Sequence, residues 1–332
     1  MSPSIPRETD ARISAALHRR LEAGSDFLYL DRYIECVLYD PEAGYYRRAR
    51  ERVGYRAGTD FYTASSLGEV FSHLVLASVR SLCPAPLRDH AFVEAGPESE
   101  TGILGGIPES PFREHRMILP GETIEIPDKA VFFSNELFDA QPFRRFIRSG
   151  GAWSEIGVRL RDTTLQPVAL RPREPFPSLP GNLPDGYTID WPSGAHALLE
   201  QICRPDWKGL FLAFDYGLGR ETVFRERPEG TGRTYAGHTM GIDFLQDAGQ
   251  RDITCHMIWE EMEEILRRHR FTRISLEWQE SFFMHHARPV IREILEAAPA
   301  GFSPAKQTLM ELLHPDNMGH KFQVLSAIRG IG

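Results

Sequence analysis

Four short polar segments hold the residue types that could do chemistry. The first, Glu94-Ala95-Gly96-Pro97, closes the apolar run AFVEAG (91–96). A strand that runs into glycine permits a tight turn and lets a ligand approach the backbone closely. The same residues also describe a plain turn, because a single glycine carries little information. The second segment places Asn135, Glu136 and Asp139 just past a run of Val and Phe. Carboxylates are costly to bury there unless they bind a cation or accept hydrogen bonds. A guanidinium would fit, held by two parallel bonds. A helix N-terminus also attracts Asn, Asp and Glu, although capping accounts for one such group more easily than for three.

The third segment is Asp215-Tyr216-Gly217, followed by Gly219. Its aspartate could orient a substrate or close an Asx-type turn. The fourth, GRTYAGHTMGIDFLQDAGQRDITCH, collects Arg233, Tyr235, His238, Asp252, Thr254 and His256. Its histidines lack the tight spacing of a metal motif, so an active-site loop is expected and no metal is. The doublet His285-His286 reads as structural or exposed. The absence of a GxSxG elbow and of a Gly-Lys-Ser/Thr loop leaves α/β-hydrolase and P-loop chemistry unsupported.

The surrounding elements follow from periodicity. Residues 8–24 carry Ile13, Ala16, Leu17 and Leu21 on one helical face. FLYLDRYIECVLYDPEAGYY reads as an aromatic helix stopped by Asp40-Pro41, and LGEVFSHLVLASVRSLC as another helix. AFVEAG, VFFSNELFD (131–139) and GLFLAFDYG (209–217) are short apolar runs ending in acidic or glycine residues. Parallel strands that deliver a site at their carboxyl ends have this form. Helices are expected over 257–271, 292–298 and 306–313, and a closing strand over 321–329. Two proline-rich stretches, 103–128 and 167–192, read as irregular connections. One α/β fold results, with an antiparallel strand near the end of its sheet.

Composition narrows the partners. The chain has 332 residues, 42% hydrophobic and 25% charged, with a net charge of −8. That is enough apolar mass for one large core or two smaller ones, and it disfavours a broad grip on nucleic acid or anionic membrane. The cysteines at 36, 83, 203 and 255 form no CxxC pair and fit a reducing cytoplasm. The N-terminal stretch has no apolar core of a signal peptide, and no apolar run is long enough to cross a bilayer.

Taken in order, LYDPEAGYY, GTDFYTASSLGEVF, VEAGP, SNELFDAQP, FDYG, RTYAGH, DITCH and HPDNMGHKFQVL resemble the MidA-like family of S-adenosylmethionine-dependent methyltransferases. These are bacterial relatives of the mitochondrial complex I assembly protein arginine methyltransferase. The resemblance runs from about residue 30 to 328. It implies a class I methyltransferase-like (Rossmann-like) α/β fold, a mostly parallel seven-stranded sheet with helices on both faces. A helical N-terminal cap over 1–84 would precede a core over 85–332, with an insertion at about 150–195. The implied activity is methyl transfer to an arginine nitrogen of a protein substrate, with S-adenosyl-L-methionine as cofactor. Asp60, Phe61 and Thr63 match a loop over the cofactor, and Glu94, Gly96 and Asn135 its other contacts. Asn135, Glu136, Asp139 and His256 are the implied catalytic group. Asp215, Tyr216, Arg233, Tyr235 and His238 are the implied substrate contacts.

The sequence departs from the family pattern in the loop that opens the core. Glu98 and Glu100 stand where the family has glycines. Fewer than 40 residues separate Gly96 from Asn135, too few for a full helix, strand and helix before the next strand. The acid that normally follows the second strand has only Glu122 or Glu125 as substitutes. Two readings follow: an enzyme, or a relative that lost the cofactor and serves as a binding or assembly protein.

Overall fold

The computed structural model describes residues 7–47, 68–237, 239–297 and 303–331. The expected loop residues Asp60, Phe61 and Thr63, and the expected substrate residue His238, lie outside them. The described residues form two compact units, neither continuous in sequence. One draws on Met1–Phe61, Phe138–Leu198 and Leu218–Glu260; the other draws on Tyr62–Leu137, Leu199–Gly217 and Glu261–Gly332.

The three apolar runs of the second unit form strands because their side chains are covered on both faces. The unit's sheet comprises β1 (Ala91–Ala95), β2 (Glu114–Ile118), β3 (Lys129–Asn135), β4 (Lys208–Asp215), β5 (Thr272–Trp278) and β6 (Gln323–Arg329). Their spatial order is β5-β6-β4-β3-β1-β2. The four strands from β4 to β2 are parallel, and β6 and β5 run antiparallel to them. The expected closing antiparallel strand is therefore present. The seven-stranded sheet implied by the resemblance is not: six strands occur among the described residues. The correction has a simple cause, because only residues 119–128 connect β2 to β3. That stretch holds no further helix and strand.

Alternation along the strands sorts the aromatic rings. Phe132 stacks on Phe211 at 5.4 Å on one face. Phe92, Phe133 and Phe214 form a chain of contacts on the other. Onto this second face pack Phe71 of helix α1 (Glu69–Leu82) and Phe282 and Phe283 of α2 (Gln279–His286). Each buried ring contributes about 1.5–3 kcal/mol. Helix α1, read as part of the N-terminal cap, contributes Phe71, Leu74, Val75 and Val79 to the second unit's core.

The first unit is an antiparallel sheet with helices Ala11–His18 and Leu30–Tyr39. Its strand order is Arg7–Glu8, Thr164–Leu170, Ala152–Arg161, Arg144–Ser149 and Thr188–Trp191, with Phe27–Tyr29 also pairing Ala152–Arg161. The stretch 167–192, read as irregular, thus contains one complete strand and the end of another. Pro167 obscured the strand Thr164–Leu170, in which it pairs with Val158 of Ala152–Arg161. Likewise β2 lies inside the other stretch read as irregular, 103–128.

Buried charge organises this unit. Glu155 is fully buried and receives Nε and Nη2 of Arg144 at 2.8 Å each, with Arg173 at 2.7 Å. The arginine partners hold the Glu155 carboxyl below the usual range although burial opposes this. Asp190 accepts Nε and Nη2 of Arg145 at 2.7 and 2.8 Å and the backbone N–H groups of Thr231 and Gly232 at 2.8 Å each.

Candidate functional site

The parallel register brings the ends of β1, β2, β3 and β4 to one edge of the second unit's sheet. Ala95 lies beside Ile118 and Ser134, and Asn135 beside Phe214. Six polar residues follow from this: Glu94 and Glu98 from β1 and its loop, Asn135 and Glu136 from β3, and Asp215 and Tyr216 from β4. Five were expected site residues. Glu98, expected as an obstacle, takes part in the cluster.

Gly96 turns the chain out of β1 with φ +70°, a conformation that favours glycine, and its N–H donates to Ile118 O at 3.0 Å. The loop then carries Glu98, an exposed residue whose Oε1 lies 3.4 Å from Asn135 Nδ2. Asn135 Nδ2 also donates to Glu136 Oε1 at 3.3 Å. Its Oδ1 is buried and has no hydrogen-bond partner among the described residues. Buried polar atoms are normally paired, so this oxygen is a candidate acceptor for a ligand's N–H or O–H.

Glu136 is the strained member of the group. It adopts φ +50°, in the left-handed region, and its N–H donates to Phe214 O at 2.9 Å. Tyr216 donates its hydroxyl to Glu136 Oε2 at 3.2 Å, and its ring rests on Phe322 at 4.3 Å. Burial raises the Glu136 carboxyl well above its usual range, and Glu98 and Asp215 add to the rise. Asp215 is fully buried, and its Oδ1 accepts the N–H of Tyr216 at 2.9 Å. Three carboxyl groups thus converge, and the middle one holds its proton to higher pH than an ordinary glutamate. Such an arrangement takes an ammonium, sulfonium or guanidinium in place of the shared proton.

Glu94 is 5% exposed and committed within the chain. Its two oxygens accept the N–H of Ile103 at 3.1 and 2.9 Å, and Oε2 lies 3.1 Å from His115 Nε2. At the end of β2, Glu122 Oε2 accepts the N–H of Leu119 at 2.8 Å, closing a turn. It stands where the sequence offered a substitute acid, with one oxygen already used. Glu125 is exposed on the connection to β3.

The first unit gathers the other expected residues. Arg233, Tyr235, Asp252 and Thr254 lie in a small sheet of Thr239–Gly241, Arg233–Ala236 and Asp252–Thr254. Asp252 accepts the hydroxyl of Tyr46 at 2.8 Å, and Tyr46 stacks on Tyr39 at 5.3 Å. Burial, then Asp252, pushes both phenols well above their ordinary value. Asp139 is buried, and its backbone carbonyl accepts the N–H of Cys255 at 2.9 Å. Arg233 Nη1 donates to Gly232 O at 2.7 Å. His256 is lowered to about 4, by burial and then by Arg233. Its imidazole is neutral near pH 7 and a poor proton acceptor there.

No group of three or more His, Cys, Asp and Glu residues among those described could hold a metal ion. No described helix is long and apolar enough to cross a membrane. Sequence reading missed His115 and Asp190. Each meets its partner only through the fold, and no local motif announces them.

A family profile whose provisional description is S-adenosyl-L-methionine-dependent methyltransferase matches residues 116–275. A crystal structure from Burkholderia thailandensis, assigned provisionally to the methyl transferases and bound to S-adenosyl-homocysteine, is similar with a TM-score of 0.82 at 21% identity. The match covers 97% of this chain and 92% of that one. An uncharacterised protein of the same superfamily and organism is similar with a TM-score of 0.78 at 20% identity, with the same coverage. These likenesses show the fold. No curated protein matches the chain.

Proposed function

We propose that this chain is an S-adenosyl-L-methionine-dependent methyltransferase acting on a protein arginine. The observation that carries the reading is the cluster at the strand ends. Asn135 presents a buried acceptor with no hydrogen-bond partner among the described residues, beside Glu136, whose carboxyl is raised by burial and by Glu98 and Asp215. The matched family profile and the fold support the same cofactor. S-adenosyl-L-methionine supplies an electrophilic methyl group on a sulfonium.

The residues present fit a cationic ligand. Asn135 Oδ1 accepts an N–H and so fixes the orientation of the incoming nitrogen. Glu98 and Asp215 offset positive charge, with Tyr216 holding the Glu136 carboxyl in place. With a cation seated beside it the Glu136 carboxyl ionises more readily, and the carboxylate takes the proton that the methylated nitrogen must lose. Positioning rather than covalent help dominates such a transfer.

A second reading, a binding protein without turnover, is favoured by the shortened connection between β2 and β3. Glu122 there spends one oxygen on the backbone instead of holding a ligand's hydroxyls. Calorimetry with S-adenosylhomocysteine, followed by transfer of a labelled methyl to arginine-containing peptides, separates the two. Binding with transfer that falls at least tenfold in Glu136→Gln is expected. Binding without transfer favours the second reading, and no heat at millimolar ligand removes both the cofactor and the enzyme.

A further inference from the structure

The loop after β1 is held from beneath by a side chain. Glu94 lies inside the strand end, where a buried carboxylate must be satisfied by hydrogen bonds. Both of its oxygens are engaged by the chain itself: by Ile103 N–H, which opens the short 3-10 turn Ile103–Gly106, and by His115 of β2. Ile103 N–H has no partner within that turn, and a carboxylate is its natural acceptor. His115 stands beside Phe92 in the register of β1 and β2, and its ring rests 5.6 Å from the Phe92 ring. The Glu94 carboxylate selects the tautomer that carries the proton on Nε2.

Gly102 completes the arrangement. It adopts φ +60°, and a Cβ at this position would collide with Glu94 Oε2 and meet His115 at 2.9 Å. Only glycine lets the carboxylate reach under the returning chain. The segment between these fixed points, 97–101, carries Glu98, which meets Asn135.

We infer that Glu94 is a positioning residue that, together with His115, latches the loop 97–103 and thereby sets Glu98 against Asn135. It does not contact the cofactor. The latch ties strand β1, the turn after the loop and the edge strand β2 at one point. The consequence for the ligand rests on the proposed methyltransferase reading; the latch itself does not.

The test uses Glu94→Gln, His115→Phe and the double variant in the full chain, with two readouts. Amide exchange over residues 97–106, measured without ligand, is expected to rise in all three variants. The dissociation constant for S-adenosylhomocysteine is expected to weaken roughly tenfold in each single variant, and no further in the double, because both break one latch. A direct ligand role for Glu94 predicts the opposite pattern. His115→Phe would then leave the affinity unchanged, and Glu94→Gln would weaken it without loosening the loop; either result overturns the inference. Should Glu94→Gln fail to fold, His115→Phe alone decides. If wild type binds no S-adenosylhomocysteine, the methyltransferase reading falls, while the exchange measurement still decides the latch.

Discussion

The raised Glu136 carboxyl makes a prediction that needs no ligand. It is raised above the ordinary 4.5 by burial, then by Glu98 and Asp215. Below that ordinary value the folded and unfolded chains both carry the proton, and its contribution to stability is fully present. As pH rises past it, the unfolded chain releases the proton while the folded chain keeps it. Stability then falls by about 1.4 kcal/mol per pH unit until the folded carboxyl also ionises. For a unit of this size that slope corresponds to roughly 3–6 °C of melting temperature per pH unit. Glu136→Gln keeps the shape and an acceptor for Tyr216 but carries no titrating proton. Melting curves of wild type and variant between pH 5 and 8 should therefore diverge, with the variant gaining on wild type as pH rises. Carboxylates remote from Glu136 act equally on both proteins and cancel in the difference. Parallel curves across the whole range would show that Glu136 is ionised in the folded chain, and the argument for a cation-accepting cluster would fail with it.

Three further outcomes follow from the same structure. His256, lowered from 6.5 to about 4, favours folding above pH 6.5, and that advantage is lost as pH falls through 4. His256→Gln should remove at most about 3 kcal/mol of this acid sensitivity in urea titrations between pH 4 and 7. Glu155→Ala strands Arg144 and Arg173 without their buried carboxylate and should cost about 3–5 kcal/mol in denaturant unfolding of the first unit. Gly209, at φ +141°, leaves no room for a Cβ against the Ala130 carbonyl of the neighbouring strand. Gly209→Ala should therefore abolish soluble expression or lower the melting temperature of the second unit well beyond an ordinary surface substitution.

The strands that carry the site were legible because their pattern is local. AFVEAG and GLFLAFDYG are buried on both faces and end in acid and glycine, so composition alone places them in a parallel sheet. The polar residues at their ends were legible for the same reason. What lay hidden depends on long-range meetings. His115 reaches Glu94 across 21 positions, and Arg145 reaches Asp190 across 45. The strand Thr164–Leu170 was hidden by Pro167, which reads as a breaker until its pairing with Val158 is known. Glu98 was legible as a departure from a glycine pattern, but its contact with Asn135 depends on the path of the loop.

The short connection of residues 96–113, between β1 and β2, explains why a latch is needed at all. In a complete α/β crossover, the loop after the first strand enters a helix packed on the sheet, and that helix fixes the loop's far end. Here the loop enters only the four-residue turn Ile103–Gly106, and β2 is an edge strand. Ordering each loop residue costs about 1–2 kcal/mol of backbone entropy. A hydrogen bond to a charged group returns about 1.5–3 kcal/mol. The contacts of Glu94 with Ile103 and His115 offset only part of that cost for the residues between 97 and 103, so the rest must come from packing or from a ligand. Within the loop, Glu98 meets the strand-end cluster, where its charge raises Glu136. A cation seated there would relieve that repulsion and tighten the loop together, so ligand binding and loop order should rise and fall as one.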